Sequence, residues 1–247
     1  IQDGSIIESN SRMFENMAVE QGAVAVRYPI LEDVYETIRD VVKKAVAVSD
    51  MVIINAGSSA GRDDYTVHVL RELGEVLVHG VAIKPGKPVI LAIVEGKPVI
   101  GLPGYPVSAY IAFENFVAPV LAIMGQRTLR EDYEAKAIIS KRLVSSLKHK
   151  EYVRVKTGMV GDKMIAAPLA RGAGAAMSLV RADGFCVIDQ NCEGMDAGEE
   201  VTVSLYRNPS EIKNTVVVTG SHDLILDVAA DLIPQQYKGM HLSSTHV

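Results

Sequence analysis

The sequence holds only two cysteines in 247 residues, Cys186 and Cys192. Two are too few for a disulfide framework, and their spacing fits no common zinc pattern, so a reduced, cytoplasmic compartment is expected. An excess of positive charge is also missing: 25 Lys and Arg against 30 Asp and Glu leave a net charge of −5. That balance gives no electrostatic reason to expect nucleic acid, and any bound anion must be held by a local cluster of cations. No signal peptide is evident, and no apolar run reads as long enough to span a bilayer, so no membrane partner is expected. Internal repeats and low-complexity tracts are absent too. The chain opens on Ile1 rather than Met, which reads as a piece cut from something longer.

What is present is a core. Hydrophobic residues make up 48% and charged residues 22%, the mixture of an ordinary globular protein. The length exceeds a typical single domain, so more than one is expected. From Ser9 to Gly125 helix and strand patterns alternate. "SNSRMFENMAVEQG" places Met13, Phe14, Met17 and Ala18 at helical spacing, with Gly22 as its stop. "AVAVRY" is a short β-rich run, and "DVYETIRDVVKKAVAV" carries Asp33 and Glu36 at capping-box spacing, with Ile38, Val41, Val42 and Ala45 on its apolar face. "DMVII" is a continuous apolar strand of the kind buried on both sides. "YTVHVLREL" is a helix closed by Gly74; "PVILAIV" and "PVIGLPG" form a hairpin about Glu95–Gly96–Lys97. "PVSAYIAFENFVAPVLAIMG" is a long helix with Pro106 in its first turn and a kink expected at Pro119.

Such alternation predicts a three-layer αβα domain on a mixed, mostly parallel sheet over residues 1–128. From about Glu131 the grammar changes to short strands separated by Gly and Asp ("EYVRVKTG", "KMIAAPL", "GFCVID", "EEVTVSLY"), a small β-barrel or sandwich over residues 129–208. Residues 209–247 then read as a strand, a polar turn and a helix, the opening of another α/β domain. Ser221, His222 and Asp223 invite a triad, but neighbours on one turn cannot form the relay; a helix cap by Ser221 or Asp223 is expected instead. His68 is expected to be partly exposed on the helix after the acidic loop, and His79, in a strand, to be structural.

Ligands of open α/β sheets bind beyond the carboxyl ends of the strands, and three segments fall there. The first is "NAGSSAGRDDYT". Gly57, Ser58, Ser59 and Gly61 lack bulk, so backbone N–H groups can approach a ligand, and the next helix offers its positive end to an anion. Asp63 and Asp64 either cap that helix or supply an oxygen to a hard cation such as Mg2+. The second is "AIKPGKP": a stiff turn holding Lys84 and Lys87 near each other suits phosphate or another oxyanion, or is a solvated polar turn. The third is "GLPGYP", where Pro103, Gly104 and Pro106 make a rigid loop with exposed backbone, or a plain strand–helix connection.

In this order and spacing the three motifs resemble the molybdopterin molybdenumtransferase family, the MoeA type that includes the E domain of gephyrin. The usual family forms are Gly-Gly-Val-Ser-x-Gly-x-x-Asp-Tyr, Ile-Lys-Pro-Gly-Lys-Pro and Gly-Leu-Pro-Gly-Asn-Pro. The resemblance runs from about Gly4 to Tyr206. It implies a reaction in which molybdate enters adenylated molybdopterin and AMP is released with Mg2+ assistance. It implies that Asp64 is the acidic active-site and metal position and Asp33 a second acidic position. Lys84 and Lys87 correspond to the lysines that hold phosphate or molybdate, and Pro103 and Pro106 to the loop prolines. The family works as a homodimer whose active site takes residues from the partner's N-terminal region. By that resemblance the full-length protein is expected to dimerise, and the piece is expected not to turn over by itself.

Departures are visible. Tyr105 stands where the family has Asn, Ala56 replaces the first Gly of the Gly-Gly pair, and the stretch containing Ala173 lacks the usual Gly-Ser-Gly. The tail resembles the start of a periplasmic-binding-protein-like domain. Two alternatives remain: a molybdopterin adenylyltransferase of the same fold, and a non-catalytic module that binds molybdopterin or molybdate.

Overall fold

A computed structural model describes residues 7–56, 65–128, 133–172, 176–221 and 223–246. The chain divides into two compact units, residues 1–130 and 131–247.

The first unit begins with α1 (Asn10–Glu20) and α2 (Tyr35–Val48), followed by β1 (Val52–Ala56) and α3 (Tyr65–Leu73). Then come β2 (Glu75–His79), β3 (Ile83–Lys84), β4 (Ile90–Val94) and β5 (Lys97–Pro103). Its main sheet runs β1-β5-β4-β2. Two apolar layers cover it. Ile100 and Leu102 of β5 meet Phe14 and Met17 of α1 and Phe113 and Val117 of the last helix. Val99 of β5 and Ile90, Ala92 and Val94 of β4 meet Ile38, Val42 and Val46 of α2 and Val67 and Leu70 of α3. Successive strand residues therefore feed opposite layers, as the period of two requires, and the three-layer αβα architecture follows.

The sheet is mixed, but the expected balance of directions is corrected. Among the described strands β1 and β5 are parallel, while β5–β4 and β4–β2 are antiparallel. The hairpin explains one reversal: Glu95 and Gly96, both at positive φ (51° and 75°), form the two-residue turn between Val94 and Lys97. The other reason is that "AVAVRY" is not a strand. Ala23 and Ala25 pack inward while Val24 and Val26 are exposed, and no ladder partner is described for the run. β1 is only partly buried because it ends the described sheet, not covered on both sides as "DMVII" suggested.

The capping box at Asp33 is also corrected: the N-cap of α2 is Val34, with no side-chain cap bond. The long helix runs from Pro106 to Met124 as α4 (Pro106–Ala112), a π-turn (Phe113–Val117) and α5 (Ala118–Met124). Pro119 has no N–H to return to Asn115, and the ladder shifts to a wider turn just before it; the Ala118 N–H reaches Phe113 O and Asn115 Nδ2 donates to Ile111 O at 2.8 Å. At 19 residues with a mean hydropathy of 1.6 this helix is long and apolar enough to cross a membrane, contrary to the sequence expectation. Half of it is buried against this unit's own core, as in a core helix of a globular domain.

In the second unit five strands close a barrel in the order β10-β12-β6-β9-β8, with β10 also pairing β8. These are β6 (Tyr133–Ile139), β8 (Lys150–Val160), β9 (Lys163–Pro168), β10 (Gly184–Ile188) and β12 (Glu200–Leu205). The short pair β7 (Leu143–Val144) and β11 (Gly194–Met195) lies beside it, and α6 (Met177–Arg181) precedes β10. The interior is aliphatic: Ile139, Val153, Val155, Ile188, Val203 and Leu205 are nearly inaccessible. After α7 (Pro209–Lys213), whose Ile212 joins that core, β13 (Thr215–Gly220), α8 (Leu224–Gln236) and β14 (His241–His246) make a parallel β-α-β unit. Asp223 Oδ1 accepts from the Ile225 N–H at 2.9 Å, so the expected cap belongs to Asp223.

Candidate functional site

The register of the first sheet fixes where its loops emerge. Ala56, the last residue of β1, is opposite Pro103, the last residue of β5. On the other side of β5, Gly101 pairs with Ile90 at the start of β4, and Ile90 pairs with His79 at the end of β2. The end of β1 at Ala56, the 80–89 loop and the 103–106 loop therefore all lie at one edge of the sheet, the carboxyl edge of the parallel pair.

The 80–89 loop is tightly built. The Gly80 N–H donates to Val89 O and the Val81 N–H to Lys87 O, each at 2.8 Å. Gly86 is buried at φ +117°, and a β-carbon there would lie 3.0 Å from Ile83 Cδ1 and 3.4 Å from Ser108 O. Ser108 belongs to the first turn of α4, directly after Pro106. The lysine loop is thus packed against the base of the "GLPGYP" loop. Lys84 and Lys87 are both exposed. Pro103 is buried, Pro106 opens α4, and Gly104 and Tyr105 face solvent, Tyr105 at 67%.

The sequence-expected Gly57, Ser58, Ser59, Gly61, Asp63 and Asp64 lie outside the described residues, as does Ala173. The residues bracketing the acidic loop are placed. Asp33 is exposed at the bend before α2. Tyr35, two residues on, meets Tyr65, which directly follows Asp64, edge to face with ring centroids 6.2 Å apart. The Tyr35 hydroxyl also bonds the Glu72 carboxylate, which raises its pKa above the ordinary phenol value. Among the described residues no three His, Cys, Asp or Glu side chains stand together as a metal site. His68 and His79 are exposed.

Sequence reasoning missed two groups. Asn10 is 5% exposed; its Nδ2 donates to Gly104 O at 2.7 Å and to Asn55 Oδ1 at 3.3 Å. Asn55 Nδ2 turns to Glu8 Oε1 at 3.4 Å, and that oxygen also accepts from the Ser11 N–H at 2.7 Å. The clue was an amide on the buried face of α1, in line with Phe14, Met17 and Ala18. The second group is in the barrel unit. Arg154 is 3% exposed, and its guanidinium donates to Ala170 O at 2.8 Å, Gly172 O at 3.1 Å and Ser178 Oγ at 2.5 Å. Burial pulls its pKa below the ordinary value, and it ties together both sides of the 170–178 segment. An arginine among the buried positions of "EYVRVKTG" was its clue. Nearby in this unit a cavity of about 500 Å³ is lined by Lys141, Arg142, Leu143, Val144 and residues 168–171.

Comparison with known proteins is consistent along the chain. Residues 1–123 match the family described as "Probable molybdopterin binding domain", and residues 136–206 match "MoeA C-terminal region (domain IV)". A molybdopterin biosynthesis protein of Methanocaldococcus jannaschii is 36% identical over 205 residues, covering 83% of this chain and 48% of that protein. The molybdopterin molybdenumtransferase of Haemophilus influenzae is 26% identical, covering 84% and 52%. The crystal structure of a molybdopterin biosynthesis MoeA protein from Pyrococcus horikoshii superposes with a TM-score of 0.71 at 35% identity, covering 84% of this chain and 50% of that one. The chain spans about half the length of the curated relatives it matches. With both domains matched in order and the carboxyl-edge loops in register, the chain belongs to the MoeA-type molybdopterin molybdenumtransferase family.

Proposed function

We propose that the protein containing this chain inserts molybdate into adenylated molybdopterin and releases AMP, a step of molybdenum cofactor biosynthesis. The observation that carries the reading is the shared edge: Ala56 opposite Pro103, with the lysine loop packed on the first turn of α4. Adenylated molybdopterin carries a charged phosphoanhydride. Lys84 and Lys87, held on one short loop, neutralise the negative charge that shifts to the departing AMP. The backbone of Gly57, Ser58, Ser59, Gly61 and Gly104 holds the pterin without adding charge, while Pro103 and Pro106 stiffen their loop. Asp33, Asp63 and Asp64 supply the acidic groups that the family resemblance implies. Mg2+ on the Asp64 carboxylate would add positive charge at the anhydride oxygens.

The reading extends to a homodimer in the cytoplasm with a small-molecule pterin substrate and without nucleic acid or membrane partners. The free thiols Cys186 and Cys192 agree with a reducing compartment. The test is AMP release from adenylated molybdopterin on addition of molybdate to the full-length protein. The parent should release AMP, and Lys84→Ala and Lys87→Ala should each lower kcat/KM by roughly 10²-fold, the scale of losing one charge-stabilising donor. No AMP from the parent overturns the transferase. Adenylate formed from molybdopterin and ATP makes it an adenylyltransferase, and tight pterin binding without either turnover makes it a binding module.

A further inference from the structure

We propose that Asn10 is a positioning residue of this site: it holds the Gly104–Tyr105 peptide in register with the end of β1. Both protons of its Nδ2 are committed, one to Gly104 O at 2.7 Å and one to Asn55 Oδ1 at 3.3 Å. Asn55 immediately precedes Ala56, so a single side chain ties the root of the acidic loop to the tip of the "GLPGYP" loop. The donor is rigid because Asn10 is 5% exposed at the first turn of α1, whose Phe14 stacks on Phe113 with centroids 5.9 Å apart. It is supported from behind as well: Glu8 orients Asn55 and accepts from the Ser11 N–H and hydroxyl.

The peptide between Gly104 and Tyr105 is trans, so its N–H and C=O lie in one plane and point in opposite directions. Fixing Gly104 O toward α1 therefore turns the Tyr105 N–H the other way. Gly104 and Tyr105 are themselves exposed; on the helix side Tyr105 O accepts from the Ala109 N–H at 2.8 Å, and Asn10 fixes the carbonyl that precedes it. Asn10 acts through the loop rather than on the reacting atoms.

The catalytic half of this inference rests on the molybdenumtransferase reading; the structural half does not. The experiment compares Asn10→Ala and Asn10→Leu with the parent in the full-length protein, the leucine keeping the volume without the donor. The ¹⁵N order parameter of the Tyr105 amide is measured, and kcat and KM are measured for adenylated molybdopterin. In both variants the order parameter should drop from the rigid-backbone range of about 0.85 toward the flexible range below about 0.6, and kcat/KM should fall about 10- to 100-fold, as for a reacting group displaced by a fraction of an ångström. An unchanged order parameter in both variants overturns the pinning. Restoration by leucine reduces Asn10 to packing and overturns the proposal, as does a lowered order parameter with kcat and KM unchanged. A parent without turnover sinks the functional reading instead, and the order-parameter comparison still decides whether Asn10 pins the loop.

Discussion

Replacing Gly86 by alanine perturbs the lysine loop at its least forgiving point. Gly86 is buried at φ +117°, and its absent β-carbon would stand 3.0 Å from Ile83 Cδ1 and 3.4 Å from Ser108 O. Left-handed backbone costs an L-residue about 1–2 kcal/mol. The Ile83 contact is with the end of a flexible side chain, so yielding by a few tenths of an ångström adds at most about 1 kcal/mol, the bottom of the overpacking range. The Ser108 contact is ordinary. The expected loss is therefore about 1–3 kcal/mol, or roughly 2–12 °C in Tm for a chain of this size. Thermal and urea unfolding followed by circular dichroism measure it directly. Relief of the strain shifts the turn that carries Lys84 and Lys87 off the first turn of α4, so kcat/KM for AMP release should fall further than the stability loss explains. A Gly86→Ala protein with the parent's Tm and the parent's kcat/KM refutes the claim that this turn is strained and that its placement matters.

Other outcomes follow from the barrel unit. Asp183, 3% exposed, meets Arg207 at 2.7 Å, Lys156 at 3.1 Å and the Thr157 N–H at 2.8 Å. Asp183→Asn leaves two cations facing no charge and should cost about 3–5 kcal/mol in urea unfolding; a loss below about 1 kcal/mol contradicts this. A β-carbon on Gly158 of β8 would lie 2.1 Å from Val217 Cγ2 of β13, so Gly158→Val should lift the β-α-β tail and speed protease cleavage within 209–247, leaving the barrel intact. Unaltered cleavage rates would count against that seat. Burial pushes the Cys186 thiol up to about 11, above the ordinary value near 8.5. Since the folded value is the higher, its contribution to stability is whole below the unfolded value and is lost as pH rises through the folded one. The parent should thus lose stability relative to Cys186→Val between about pH 9 and 11; a difference constant across that window contradicts it.

Much of this architecture was legible because periodicity and punctuation are local. Phe14, Met17 and Ala18 marked the buried face of α1, Glu95–Gly96 marked the hairpin, and alternation in "EEVTVSLY" marked a barrel strand. What was not legible depended on partners distant in sequence. "AVAVRY" has strand composition but no neighbour to pair with among the described residues, so propensity could not make it a strand. Val34 rather than Asp33 takes the N-cap position of α2, without a side-chain cap bond, and the aspartate is left one residue before it. The lysine and Gly-Leu-Pro-Gly loops were visible as motifs, whereas the register that puts them side by side, β5 on β4 and β4 on β2, was read from the structure. Asn10 and Arg154 escaped because a buried polar side chain is read from its hydrogen bonds, which span 94 residues for Asn10 and Gly104 and 24 for Arg154 and Ser178.

The central claim is that one edge of the first sheet holds the pterin. The direct measurement is amide NMR of the ¹⁵N-labelled protein during titration with molybdopterin. The account predicts that the signals moved are those of Asn55 and Ala56, of Lys84, Gly86 and Lys87, and of Leu102, Gly104 and Tyr105. Perturbations confined to the barrel cavity, Lys141 to Val144 and Leu169 to Arg171, would contradict it.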